Sequence, residues 1–233
     1  MPSIIWLLFF LREDVHPESN RMVLKVFGYG ILSAFLAAIL EINFQLGLEM
    51  LLRPSAIFLI LQVFIGISLM EELMKYLVVK KAAILDPEFD EPLDAMLYMV
   101  IAGLGFSAIE NFLYLLPFGQ PFIIQDTLTL SFFRFLGATF LHALCSGTVG
   151  FFLALSFCSK KPKKRLIIFG LSLATFLHGI YNFSIIKFVE TLNNENPNNF
   201  LLLIPVLVLT GLAIFVFFAF QKLKKLKSVC KLK

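Results

Sequence analysis

The chain has 233 residues, of which 59% are hydrophobic and 15% charged, and its formal net charge at pH 7 is +4. Soluble domains contain about 45–50% apolar residues, so this composition, with a mean hydropathy of +0.87, excludes a water-soluble globular domain. We therefore expect a chain that folds in a lipid bilayer, and no nucleic-acid partner.

The first apolar segment, MPSIIWLLFFLRED, has no basic region before it and no small-residue cleavage site after it, so we expect no cleaved signal peptide. About ten apolar residues are too few for the ~20 of a spanning helix, which predicts a short first helix. Six longer apolar runs follow at about 22–40, 55–81, 93–117, 128–158, 166–190 and 199–221. Together they predict an all-α, polytopic transmembrane bundle of about seven helices, with one domain over 1–221 and a basic tail over 222–233.

The three cysteines, Cys145, Cys158 and Cys230, are odd in number and have no CxxC spacing. This pattern favours neither a disulfide framework nor a zinc site built from cysteine. We therefore expect three unpaired thiols.

The basic residues predict the orientation of the helices, because Lys and Arg are enriched in cytoplasmic joints. Most of them fall in alternate joints, whereas the other joints carry only Arg53, Arg134 and Lys187. The alternate joints carry Arg12, Arg21, Lys25, Lys80, Lys81, Lys160, Lys161, Lys163, Lys164, Arg165 and the lysines from Lys222 to Lys233. We predict a cell-membrane protein with its N-terminus outside and its tail in the cytoplasm; the tail could alternatively dock on anionic lipid.

The segment ISLMEELMKYLVVKKA, residues 67–82, places Glu71, Glu72 and Lys75 inside an apolar helix. A charged side chain near the middle of a span costs roughly 2.5–3.5 kcal/mol on insertion scales, so these groups need compensation. On a helix, Lys75 lies one turn from both carboxylates and can pair with them. One lysine cannot neutralise two carboxylates, and the remaining Glu would suit a general base. A purely structural ion pair is the alternative.

Three later helices carry polar side chains at comparable depth. At about 1.5 Å per residue, Glu71, Glu110, His142 and His178 lie roughly 13–26 Å from the cytoplasmic ends of their helices. We expect these helices to pack around one polar, partly hydrated cavity, although each group alone could be an interhelical hydrogen-bonding residue. The polar side chains of the three later helices are Ser107, Glu110, Asn111, His142, Ser146, His178 and Asn182.

Carboxylates and imidazoles in such a cavity suit three classes of function. The first is peptide hydrolysis, in which a Glu takes a proton from water and a His or Asn stabilises the oxyanion. The second is metal-assisted hydrolysis, but HExxH is absent and neither His142 nor His178 lies three or four residues from another His or Glu. The third is proton or ion transport, which favours inverted repeats and broken helices that are not apparent here. A non-catalytic membrane scaffold is a further alternative.

Four segments resemble, in order and spacing, the signature regions of the PrsW family, and the resemblance covers about residues 5–220. That family comprises membrane proteases of the glutamic intramembrane class, related to the type II CAAX prenyl endopeptidases. Its best-known member makes the first cut in an anti-sigma factor and so starts a stress response. The four segments are EELMKYL (71–77), DEPLDAMLYMVIAGLGFSAIENFLYL (90–115), FLHALCSGTVGFFLA (140–154) and FLHGIYNF (176–183).

The resemblance implies an intramembrane endopeptidase that cuts a membrane protein, such as a single-pass anti-sigma factor, without a metal ion or other cofactor. Glu71, or failing that Glu72, would activate water, and Lys75 would set the ionisation of the pair. The residues implied as catalytic are Glu71, Glu72, Lys75, Glu110, Asn111, His142 and His178.

The roles implied for the remaining residues concern the oxyanion and the positioning of the site. His142 and Asn111 would stabilise the oxyanion or donate a proton to the leaving amine, and His178 and Glu110 would position them. One departure is Asn182, which stands where relatives often have aspartate. It puts in doubt whether a carboxylate orients His178.

Overall fold

The computed structural model describes residues 2–13, 16–115, 135–158, 162–193 and 198–226. Within these ranges the chain is helical and contains no β-strand, which confirms the predicted all-α fold. The helices are α1 (Pro2–Leu11), α2 (Asn20–Leu51), α3 (Ala56–Ala82), α4 (Pro92–Leu115), α5 (Phe140–Cys158), α6 (Lys163–Asn193) and α7 (Phe200–Lys224). All except α1 are long and apolar enough to cross a membrane. The predicted runs 93–117 and 128–158 also include residues 116–117 and 128–134, which lie outside the described ranges.

Helix α1 is a short helix, as predicted. Its ten residues span about 15 Å, about half of the ~30 Å hydrocarbon core. It packs along the bundle through a stack of Trp6 on Phe140, with 4.3 Å between ring centroids. Near its start, the hydroxyl groups of Ser3 and Ser107 lie 3.1 Å apart. The helix therefore lies against the larger helices without crossing a bilayer itself.

Helix α2 extends to Leu51 instead of ending near residue 40. The polar residues in its second half do not stop it because their side chains find local partners. Asn43 donates to a carbonyl one turn earlier at 2.7 Å, and Gln45 donates to Glu49 at 2.9 Å. As a result Glu41 lies within the helix, not in a joint after it.

Helix α4 forms the centre of the bundle and packs against α1, α2, α3, α5 and α7. All side chains from residue 95 to residue 102 are fully buried. In the most apolar stretch of α4, 89% of the residues are buried, against 17% in α7. The helix that carries Glu110 and Asn111 is therefore surrounded by protein, whereas α7 faces lipid over most of its length.

Glycines allow the central helices to approach closely. A methyl group on Gly30 of α2 would lie 2.4 Å from the carbonyl oxygen of Ala102 in α4. A methyl group on Gly103 would lie 2.2 Å from the hydroxyl oxygen of Ser146 in α5. No Cβ atom tolerates such distances, so these positions set how near α2 and α5 come to α4.

The joints rich in basic residues meet at one end of the bundle. Lys25, in the first two turns of α2, donates a hydrogen bond to Asp86 in the joint after α3, at 3.0 Å. This hydrogen bond lowers the pKa of the Asp86 carboxyl from its ordinary value. Lys224 at the end of α7 donates to Glu13 after α1 at 2.7 Å. The joints after α1 and α3 and the end of α7 therefore share one side, as the alternation of basic residues predicts.

The end of α7 overlaps the first residues of the predicted basic tail. Helix α7 continues through Lys224, and Lys222 lies 5.6 Å from the centre of the Phe151 ring. Residues 227–233 lie outside the described ranges. The prediction of a basic tail is therefore untested over most of its length.

One expectation about the cysteines is wrong. Cys158 is disulfide-bonded, whereas Cys145 is buried and free. Short-range spacing is typical of zinc sites and redox motifs, but it does not reveal cysteines that distant segments bring together.

Candidate active site

A cavity of about 630 Å³ lies between α2, α3, α4, α5 and α6. It reaches the ends of the helices opposite the basic joints, because Ala138 precedes α5 while Leu113 and Val189 lie near the ends of α4 and α6. Among the described residues, the cavity thus extends to the end of the bundle away from the basic joints. The polar side chains in its wall are Glu41, Glu71, Glu110, His142, His178, Tyr181 and Asn182.

Lys75 is the centre of the polar network beside this cavity. Its ammonium nitrogen lies 3.2 Å from Glu71 Oε2, 2.8 Å from Glu72 Oε1 and 2.7 Å from Nδ1 of His142. An ammonium group has three N–H donors, so these contacts use all of them. The nitrogen also lies 4.4 Å from the centre of the Phe106 ring. The Lys75 side chain is completely buried. These contacts stabilise its charge against the cost of removing it from water.

His142 links this network to α4. Because Nδ1 accepts a hydrogen bond from Lys75, the ring proton lies on Nε2, which donates to Glu110 Oε2 at 2.6 Å. This assignment follows from the partners of the ring. His142 is therefore a neutral imidazole held between an ammonium and a carboxylate.

His178 approaches the pair of carboxylates from α6. Its Nδ1 lies 2.9 Å from Glu72 Oε1 and donates to it, while its Nε2 lies 3.8 Å from Glu71 Oε2. The rings of His178 and His142 meet edge to face, with 5.1 Å between their centres. A carboxylate therefore does orient His178, and it is that of Glu72. Asn182 lies in the cavity wall one turn away.

The two adjacent carboxylates have different surroundings. Glu72 is completely buried, and its Oε1 accepts from both Lys75 and His178. Its Oε2 is buried without a hydrogen-bond partner among the described residues. Glu71 is part of the cavity wall. Of the two, Glu71 is thus the carboxylate that water in the cavity can reach.

Asn111 lies beside the network. Its amide is buried and donates to the Thr139 hydroxyl at 2.7 Å, and it is not part of the cavity wall. The preceding residue of α4, Glu110, binds His142. Asn111 and Glu110 therefore bind Thr139 and His142, which lie about one helical turn apart around the start of α5. The structure thus joins six of the seven predicted residues in one network and places Asn111 next to it.

A model of the PrsW family, described as PrsW family intramembrane metalloproteases, matches residues 18–217. The chain belongs to the PrsW family. This confirms the resemblance of the four motifs and makes the chain a membrane-embedded protease, with membrane proteins as its class of substrate.

Several curated PrsW proteases are similar to most of the chain. Protease PrsW of Geobacillus kaustophilus is 31% identical over 175 residues, which cover 75% of this chain and 71% of the relative. Protease PrsW of Oceanobacillus iheyensis is 29% identical over 182 residues, or 78% of each chain. Protease PrsW of Bacillus subtilis is 28% identical over 176 residues, covering 75% of this chain and 74% of the relative. No solved structure matches the chain.

The description of the PrsW family names a metal, and four side chains of the site fit one. Glu71, Glu72, His142 and His178 each offer a ligand atom, and these atoms lie within 4.8 Å of one another. Zinc binds such carboxylate and imidazole donors, and the unpaired oxygen of Glu72 could serve as a ligand. Sequence spacing gave no sign of this set because its members come from three helices. Lys75 contacts three of the four, so a metal ion there would require its ammonium to move away.

Two features of the PrsW site were not found from the sequence. One is Glu41 in the cavity wall. No helix-breaking residue separates Glu41 from the apolar run before it, so the sequence permits a longer α2 that includes Glu41. The other is a π-helical turn before each of two site segments. Gln62–Leu69 precedes Glu71, and Phe135–Thr139 precedes His142. Such turns are common at functional sites, but they have no sequence signature here.

Proposed function

We propose that this PrsW family protein hydrolyses a peptide bond at the inner end of the cavity, with Glu71 as general base and without a metal ion. The observation that carries the proposal is that Glu71 faces the cavity while its neighbours bind one another. Lys75 contacts Glu72 at 2.8 Å and His142 at 2.7 Å. Glu71 is thus positioned by fixed groups and can still contact water.

The reaction would proceed in two steps. Glu71 takes a proton from water as the water oxygen attacks the carbonyl carbon of the scissile bond. The Nε2–H group of His142, which donates to Glu110 in the structure, would turn to the carbonyl oxygen and stabilise the negative charge that forms there. The carbon–nitrogen bond then breaks, and the proton passes from Glu71 to the leaving amine. Glu72 holds His178 in place during both steps.

The test compares membrane peptides in cells that carry wild-type protein or the variant Glu71→Gln. Loss of the base should slow cleavage by roughly 10²–10⁴-fold while the protein stays folded in the membrane. Glu72→Gln should also abolish cleavage, because it removes the partner of His178. Glu49→Gln, on the exposed side of α2, is the control and should cleave normally. Full activity in both Glu71→Gln and Glu72→Gln would contradict the proposal.

A metal-assisted mechanism is the second candidate, and the four ligand atoms within 4.8 Å of one another favour it. Glu71, Glu72, His142 and His178 would hold the ion, which would activate a bound water molecule. Metal analysis of the purified protein and a chelator series decide between the two mechanisms. We expect less than one metal ion per chain and activity that survives chelation. Stoichiometric zinc together with inhibition by the chelator would replace the metal-free mechanism.

We further propose that the substrate is a single-pass membrane protein such as an anti-sigma factor, and that the basic joints face the cytoplasm. The ion pairs that join these joints at one end support a common side for them. The cavity reaches the opposite end. In this orientation water and the cleaved bond lie toward the outer face of the membrane.

A further inference from the structure

Glu41 is a carboxylate within a membrane-spanning helix, and no described residue forms a hydrogen bond or an ion pair with it. It lies well inside α2 and lines the same cavity as Glu71 and Glu110. Ionisable side chains inside membrane spans are costly, and they are usually paired or functional. An ionised Glu41 would therefore be stabilised by a cation that enters the cavity.

Among the described residues, no cation of the site contacts Glu41. Lys75 already donates its three N–H groups to Glu71, Glu72 and His142. His142 is neutral, because its Nδ1 accepts from Lys75. Through space, Glu110 repels Glu41 and Lys75 attracts it. The described part of the cavity thus carries more negative than positive charge on the side of Glu41.

The wall next to Glu41 has room for a long side chain. Ala38 and Ala34 lie one and two turns before it on the same face of α2, and both line the cavity. Ile67 adds an apolar surface on α3. Lysine and arginine bury an aliphatic stem along such surfaces while the charged group reaches a polar partner. The surface therefore fits a basic side chain better than a small polar one.

We infer that Glu41 determines specificity by binding a lysine or arginine side chain of the substrate close to the scissile peptide bond. The inference rests on the proposed function, because it takes Glu71 as the point where water attacks. An extended chain advances about 3.3 Å per residue, and a cavity of about 630 Å³ holds only a few residues. The basic residue therefore lies within a few positions of the bond that is cut.

The experiment uses full-length protein in lipid nanodiscs and a library of membrane-protein peptides prepared with a protease that cuts after glutamate. Mass spectrometry identifies the new termini made by wild type, Glu41→Gln and Glu41→Lys. The control, Glu49→Gln, removes an exposed carboxylate from the same helix. Wild type and Glu49→Gln should enrich Lys or Arg within about three residues of the cut, as the cavity length allows. Glu41→Lys should enrich Asp instead.

Matched peptides give the size of the effect. For a cleaved peptide and its Lys→Gln counterpart, Glu41→Gln should lower kcat/KM about tenfold more for the lysine peptide, since one charge-assisted hydrogen bond is lost. An equal fall for both peptides, or basic enrichment that persists in Glu41→Gln, would overturn the inference. Cleavage by wild type without basic enrichment would also overturn it and leave the proposed function standing. Absence of any cleavage by wild type would contradict both.

Discussion

Lys75 shows how much of the site depends on a single side chain. It is completely buried and donates to two carboxylates and one imidazole. The pairing with Glu71 and Glu72 could be predicted from the sequence, because helix geometry places residues three and four apart on one face. The contact with His142 could not, since it depends on how α5 packs against α3. The same holds for His178, which Glu72 orients from another helix.

Replacing Lys75 with methionine should destabilise the protein and abolish cleavage. Removing one partner of a buried ion pair costs about 3–5 kcal/mol because the remaining charge is left uncompensated. Thermal unfolding in detergent should therefore occur at a lower temperature than for wild type. The double variant Lys75→Met with Glu72→Gln should regain part of the loss, since it removes one of the buried charges that Lys75 no longer compensates. Unfolding of Lys75→Met at the wild-type temperature would contradict this account of the network.

At the scale of helices, the sequence predicted that each long helix exists and in which order the helices follow. It did not predict every helix end or the π-helical turns within them. Apolar runs located every long helix, yet α2 continues to Leu51 because Asn43 and Gln45 find partners within it. The π-helical turns Gln62–Leu69 and Phe135–Thr139 were missed, since packing of neighbouring helices decides such local register shifts. The turn in α3 ends before Glu71, so the helical spacing of Glu71, Glu72 and Lys75 is unaffected.

Gly30→Ala should disrupt the packing of α2 on α4, whereas Gly28→Ala should not. The new methyl group at residue 30 would lie 2.4 Å from a backbone carbonyl oxygen, while that at residue 28 would meet nothing within 4 Å. Overpacking of this kind costs about 1–3 kcal/mol, and alanine favours a helix over glycine by roughly 1 kcal/mol. Thermal unfolding should therefore show a lower midpoint for Gly30→Ala and an equal or higher one for Gly28→Ala. Equal midpoints for the two variants would rule out the close contact.

For the whole molecule, the distribution of basic residues predicted which joints share a side. Lys25 with Asp86 and Lys224 with Glu13 join those segments at one end. The cavity could be expected from polar residues at matching depth, but its extent could not, because Glu41 and Tyr181 enter it only through the packing of α2 and α6. The membrane itself decides which end faces the cytoplasm, and that remains a prediction from the charges.

Alkaline phosphatase fusions test this orientation, because the enzyme is active only outside the cytoplasm. A fusion in the joint between α2 and α3, next to Arg53, should be active. A fusion after residue 226 should be inactive. Replacing both Lys80 and Lys81 with glutamine should reduce the difference in phosphatase activity between the two fusions, since the bias of basic residues sets the orientation. An active fusion after residue 226 would reverse the proposed topology.

The position of the cavity at the end opposite the basic joints determines which solution supplies the site with protons and solutes. With the proposed orientation, Glu71 equilibrates with the medium around the cell and not with the cytosol. A change in external acidity or an inhibitor that cannot permeate would then act on the enzyme directly, while the cell's internal buffering would offer it no protection.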